Sequence, residues 1–301
     1  MPLNRRDFLS AAGLAGGSLL LPNLKPISFS VPDQFELLIL TTNWGFQGTL
    51  EAFCAKAKAD EYDGIEIWAP RKKKEQEKLM KSLEKYSLSF GVLVGVGASD
   101  FKQHFKEFKA YLEDAIKLKP LFINCHSGRD YFSFDQNRQI IEFSNELAAS
   151  SGVPIYHETH RARILFAAHI SKRFLETIPE LMISLDISHW TNVAASLLMD
   201  QKKAVDLALS RTRHIHSRVG HQNAPQITDP RAPEWQNVMD IHFAWWDKVV
   251  QSHINLGKRL TMTTEFGPPN YMAALPFTQQ PITNLWEINN YMKDLWRKRY
   301  Q

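Results

Sequence analysis

The sequence predicts an α/β fold of the (β/α)8, or TIM barrel, class. Three observations carry the prediction. Strand-like and helical patterns alternate eight times along the chain. The alternation runs through residues 31–301 of a 301-residue chain, the length such a barrel needs. Hydrophobic residues make up 44% of the sequence, enough for a large core, and no linker marks a second domain.

The strand-like runs, in order, are FELLILTTNW (35–44), DGIEIWA (63–69), SFGVLVGVG (89–97), LFINCHSG (121–128), VPIYHETH (153–160), LMISLDISHW (181–190), HIHSRV (214–219) and LTMTTEFG (260–267). They are rich in β-branched and aromatic residues and are bounded by Gly, Pro, Asn and Asp. Helical patterns fill the gaps at 48–60, 71–86, 102–119, 135–151, 164–178, 204–212, 235–256 and 282–299. In the third, Phe101, Phe105, Phe108, Leu112 and Ile116 recur at three- and four-residue steps, a stripe for packing on a sheet. Strands alternating with helices imply parallel βαβ units. The charge run RKKKEQEK (71–78) reads as a solvated helix face. The segment GHQNAPQITDPRAPE (220–234) is Pro-rich and long for a βα connection, as functional loops often are.

The N-terminal NRRDFLSAAGLAGGSLLLP (4–22) reads as a targeting segment. A twin-arginine pair, Arg5 and Arg6, precedes Phe8, Leu9 and a short, weakly apolar stretch, the pattern of the bacterial twin-Arg export signal. The expected organisation is a signal over 1–30, a single barrel domain over 31–301, and periplasmic localisation. The apolar run is too short to span a bilayer comfortably, so no membrane association is expected after export. Formal charge is +4, and Arg5, Arg6, Lys25 and Asp7 supply +2 of it. The remainder is near neutral, which argues against a nucleic-acid partner. Cys54 and Cys125 form no framework and read as buried thiols.

In such a barrel the site lies where strands end and βα loops begin. The HETH stretch (157–160) superficially resembles a zinc-peptidase signature, but its histidines are three apart and its surroundings favour a strand. Alternation then turns Glu158 and His160 one way, and His157 and Thr159 the other. The next strand ends offer Asp186, His216 and Glu265. Three carboxylates and an imidazole from four consecutive strands suit a hard divalent cation better than a structural zinc. We expect one divalent metal ion, Mn²⁺ before Mg²⁺, Co²⁺ or Zn²⁺. Other strand ends supply candidate substrate contacts: His126 on strand 4, and Glu66 and Trp68, two apart, on strand 2.

The stretches LDISHW, HIHSRVG and TTEFGPP resemble the xylose isomerase-like barrels, a superfamily of sugar-phosphate isomerases and epimerases, ketose 3-epimerases and, more distantly, apurinic-site endonucleases. The resemblance runs from about residue 33 to the end. It implies a metal held by Glu158, Asp186, His216 and Glu265, an Asp-x-x-His pair in Asp186 and His189, and a catalytic pair in Glu158 and Glu265. The second His of the H-x-H strand, His216, is the implied ligand. The implied chemistry is proton abstraction next to a sugar carbonyl through a metal-bound enediolate. After His216 the chain departs from the epimerases: Arg218 and His221 stand where a small and an acidic residue are usual. That departure favours 3-keto-glycoside cleavage as an alternative outcome, with Arg218 and His221 on a departing oxygen and His160 beside the metal. The expected partner is a small carbohydrate or glycoside, and oligomerisation is left open. A metal-dependent endonuclease-like phosphodiesterase and a non-catalytic sugar-binding barrel are the remaining readings. The first lacks the extra His and acidic ligands and the basic surface it would need.

Overall fold

The computed structural model describes residue 32 and residues 35–301; the twin-arginine segment lies outside the described residues. Eight parallel strands close into a barrel in sequence order: β1 Leu37–Thr42, β2 Gly64–Trp68, β3 Ser89–Gly95, β4 Ile123–His126, β5 Ile155–Glu158, β6 Ile183–Leu185, β7 Thr212–His216 and β8 Leu260–Thr264, with β8 pairing back onto β1. The helices are α1 Leu50–Ala59, α2 Lys73–Tyr86, α3 Phe101–Ala115, α4 Phe134–Ser151, α5 Ala168–Thr177, α6 Ser188–Val193, α7 Lys202–Arg211, α8 Gln236–Leu256 and α9 Leu285–Tyr300. Eight of them were foreseen. The short α6 corrects the sixth strand, which ends at Leu185 instead of running to residue 190. Its cause is Asp186, whose Oδ1 accepts from the Ser188 N–H at 3.1 Å and turns the chain into a helix. No helix among the described residues is long and apolar enough to cross a membrane.

The two faces of the strands divide the labour. Outward residues such as Ile39, Ile65, Ile67, Val92, Val94, Ile123, Cys125, Ile183, Leu185, Ile215 and Met262 are buried against the helices. Each aliphatic side chain so buried contributes about 1.5–3 kcal/mol. Cys54 and Cys125 are free and buried in this shell. The inward face is polar from mid-height to the mouth: Glu66, Asn124, Glu158, Ser184, Asp186, His214, His216 and Thr263 are all buried there. An apolar floor beneath them includes Phe122, whose ring lies 4.1 Å from His214. Gly91 makes room for it, since a Cβ there would stand 2.4 Å from the Phe122 ring.

The long loop after β7 is pinned at its start. Gly220 passes so close to the turn after β6 that a Cβ would lie 2.6 Å from the Ser188 carbonyl oxygen. Its N–H donates to His242 Nε2 on α8 at 3.3 Å, while His242 Nδ1–H donates to the Val238 carbonyl at 2.9 Å. The first bond requires a neutral ring; the second survives protonation. Burial pushes the His242 pKa down to about 4, with the Val238 bond opposing. The unfolded chain therefore binds this proton first, and stability present above pH ~6.5 is lost as pH falls through ~4. Up to about 3 kcal/mol is at stake for this one group. Urea unfolding between pH 7.5 and pH 4 should show that slope, and His242→Gln should lessen it, the other buried histidines keeping the rest.

Candidate active site

Four strand ends converge at the C-terminal mouth. Glu158 closes β5 and His216 closes β7; Asp186 and Glu265 each lie one residue beyond β6 and β8. All four are buried. The Asp186 N–H donates to Thr159 Oγ1 at 2.8 Å, which fixes the β6 end against β5. His157 points outward, with Nδ1 2.5 Å from Ser127 Oγ, as alternation requires. Donor atoms of Glu158, Asp186 and His216 all lie within 4.8 Å of one another. His216 Nδ1 sits 2.7 Å from Glu265 Oε2 and 3.6 Å from Glu158 Oε2. Yet His216 Nδ1, Glu265 Oε2 and Glu158 Oε1 are buried with no hydrogen-bond partner among the described residues.

The electrostatics follow from this crowding. Burial raises the Asp186 pKa; Glu265 and Glu158 add to the rise, Arg218 opposes it, and the result is about 6. Burial would also raise Glu158, but His126 and His216 outweigh it and hold that carboxyl well below its usual range. Burial opposes a proton on His216, while Glu265, Glu66 and Glu158 together raise its pKa well above the ordinary value. The cluster is thus short of positive charge at its centre. Three unpartnered atoms of cation-ligand type around that centre fit a divalent ion. Glu158, Asp186, His216 and Glu265 are the residues that would hold it.

Arg218 supplies part of the missing charge. It is fully buried; Nη2 donates to Asp186 Oδ2 and to His189 Nε2 (2.8 Å), and Nε donates to Ser188 Oγ (3.1 Å). Its guanidinium lies 4.6 Å from the Tyr271 ring centroid. Only Nη1 lacks a partner among the described residues. Arg218 lines the cavity, as expected, but its main contacts are with Asp186, Ser188 and His189. His189 is buried beneath it, and burial first, then His160 and Arg218, keeps that ring neutral.

A second wall is built from histidines. His126 Nε2 lies 2.7 Å from Glu158 Oε2, and the His160 ring stands 4.7 Å from His126 and 3.9 Å from His189. His160 Nδ1–H donates to the Arg161 carbonyl at 2.6 Å. Burial, reinforced by His126, pushes the His160 pKa down to about 3. His126 and His160 face a cavity of about 220 Å³ lined also by Thr42, Trp44, Trp68, Leu93, Arg218, Glu265 and Tyr271. Trp68 is half exposed at the mouth, its ring 5.1 Å from His126.

Two expected substrate contacts are corrected. Glu66 is wholly buried below the cluster, and its carboxylate is taken up by His214, His216, Thr263 and Asn124. His221 does not line the cavity: its N–H donates to the Ala224 carbonyl at 2.8 Å and its ring lies 4.7 Å from Trp235. The reason is the pinned Gly220, after which the chain turns outward. Asn124 and Tyr271 were missed. Asn124 carried a signal, two residues before His126 and so on the same face. Tyr271 lies in an irregular loop with no periodicity to reveal its direction.

No family model matches the chain, and no curated protein matches it. Solved structures do. A 3-keto-D-glucoside 4-epimerase from E. coli superposes with a TM-score of 0.59 at 14% identity, covering 87% of this chain and 100% of that one. A D-tagatose 3-epimerase-like protein gives 0.57 at 15% identity, covering 87% and 96%. A probable 3-DHS dehydratase from Bacillus anthracis gives 0.54 at 13% identity, covering 87% and 99%. At such identities the likeness establishes the shared barrel fold.

Proposed function

We propose that the chain is a divalent-metal-dependent sugar isomerase or epimerase that abstracts a proton next to a carbonyl. The observation that carries this reading is the set of unpartnered ligand atoms of Glu158, His216 and Glu265 at the ends of β5, β7 and β8, of which Glu265 borders a cavity of about 220 Å³. That volume suits one sugar ring. A bound divalent cation, Mn²⁺ by the hardness of the donors, would polarise the substrate carbonyl and make the neighbouring C–H more acidic. Glu265 lines the cavity with a free oxygen and removes the proton. The returned proton would come through the Glu158–His126 pair, Glu158 Oε2 lying 2.7 Å from His126 Nε2 and accepting from Asn124, with His126 lining the cavity. Trp44, Trp68 and Tyr271 border the ring's apolar face and exclude water. The solved epimerases of the same fold support this reading.

The second reading is a lyase on 3-keto-glycosides, in which the same carbanion expels the substituent from the neighbouring carbon. The dehydratase of the same fold favours it. The groups first assigned to the departing oxygen do not support it, because Arg218 is held by Asp186 and His221 lies outside the cavity. Incubation with a free ketose or a 3-keto-glycoside, each with Mn²⁺, separates the two. The proposal expects a C3 or C4 epimer, or an aldose–ketose pair. Release of aglycone with an unsaturated keto sugar, and no epimer, would replace it by the lyase.

A further inference from the structure

The stretch DGIEIWA sends Glu66 inward from β2, where nothing in the sequence gives it a partner. The structure brings three other strands to it, β4, β7 and β8. His216 Nε2 lies 3.0 Å and His214 Nε2 3.1 Å from Glu66 Oε2, Thr263 Oγ1 donates to the same oxygen at 2.5 Å, and Asn124 Nδ2 donates to Oε1 at 3.2 Å. His214 Nδ1 in turn accepts from Thr261 Oγ1 at 2.8 Å.

Proton counting then decides which nitrogen of His216 is free. His216 Nε2 has two neighbours, Glu66 Oε2 and, at 3.2 Å, Asn124 Nδ2. Asn124 has two amide hydrogens, and both are claimed by carboxylates: Glu158 Oε2 at 2.7 Å and Glu66 Oε1. It has none left for an imidazole lone pair. The Glu66 carboxylate only accepts. His216 Nε2 must therefore carry hydrogen, so in the neutral ring that a bound cation requires the lone pair is on Nδ1, the atom that faces Glu158 and Glu265.

We infer that Glu66 is the positioning residue of the cation site: it fixes His216 as the Nε2–H tautomer, so that Nδ1 is presented as a ligand. This rests on the proposed cation reading and assigns Glu66 a place beneath the site instead of against substrate. A carboxylate behind a ligating imidazole sets both its tautomer and its orientation, and its loss typically costs about 10–100-fold in metal affinity. A Gln at this position keeps the volume but offers an N–H as readily as a C=O, so the tautomer is no longer dictated.

The test is titration of the full chain with Co²⁺ alone, followed by its visible absorption. Glu66→Gln should bind Co²⁺ about 10–100-fold more weakly than the unaltered chain. Thr261→Val, which touches only His214 in this network, should leave the affinity within about twofold, although it too disturbs the floor. A merely structural role for Glu66 would make the two variants alike. Nitrogen-15 spectra of the unaltered Zn²⁺-loaded chain give a readout that needs no variant: His216 Nε2 should carry the proton. Equal Co²⁺ affinity in Glu66→Gln, or a proton on Nδ1 in the loaded chain, overturns the inference and leaves the cation reading intact. No Co²⁺ binding by the unaltered chain overturns both.

Discussion

Glu265→Gln lowers solvent-proton exchange at the carbon next to the substrate carbonyl by about 10²–10⁴-fold, the usual contribution of a positioned base. The side chain keeps its size and loses only its basic oxygen. Glu265 borders the cavity, and its Oε2 is buried 2.7 Å from His216 Nδ1 without a well-aligned hydrogen bond, so its carboxylate is the one of the cluster placed against substrate. Glu158→Gln should lose a comparable factor, because its Oε2 is the one tied to His126 and Asn124. Saturating Mn²⁺ separates a lost base from a weakened ligand: a variant rescued to full rate by more metal was only a ligand. The measurement is wash-in of deuterium at that carbon, followed by mass spectrometry.

Arg218→Ala destabilises the chain by about 3–5 kcal/mol, the cost of stranding one member of a buried ion pair. Arg218 and Asp186 are both fully buried, and the guanidinium also bridges Ser188 and His189. Without it, Asp186 faces Glu158 and Glu265 with no fixed counter-charge, which raises its pKa further. Asp186→Asn in the same chain should recover much of the loss. Urea unfolding in the presence of EDTA checks both, with the chelator removing any contribution from bound metal. A loss below about 1 kcal/mol would mean the pair is worth no more than a surface one.

The barrel was legible because its two-residue and 3.6-residue periods are strong and regular across the whole chain. The four strand-end residues were legible for the same reason: alternation fixes which side chains face inward, and strand order fixes which are neighbours. Their meeting in one cluster follows from the closure of β8 onto β1, which no local pattern reveals. Arg218 was read as a substrate contact and does line the cavity, but its partners Asp186, Ser188 and His189 were not legible, because sequence shows its side and not its neighbours. Its neighbours on α6 arise from the turn at Asp186, and SHW reads as a strand end until that carboxylate bends the chain. His221 failed for a related reason. Its position depends on Gly220 lying against Ser188, a close approach between segments some thirty residues apart. Trp190, which follows His189 on α6, is buried and donates Nε1–H to the Leu165 carbonyl at 2.8 Å, a packing role.

The central claim is that this constellation removes a proton next to a sugar carbonyl. The most direct test is incubation of the purified full chain with Mn²⁺ and a free ketose or 3-keto-glycoside in deuterated water. The account predicts deuterium at the carbon bordering the carbonyl in an epimer or isomer, and loss of the original proton from that carbon in an eliminated sugar. It also predicts loss of that label in Glu265→Gln. An epimer or isomer formed with no deuterium at that carbon, or label unchanged in both Glu265→Gln and Glu158→Gln, would contradict it.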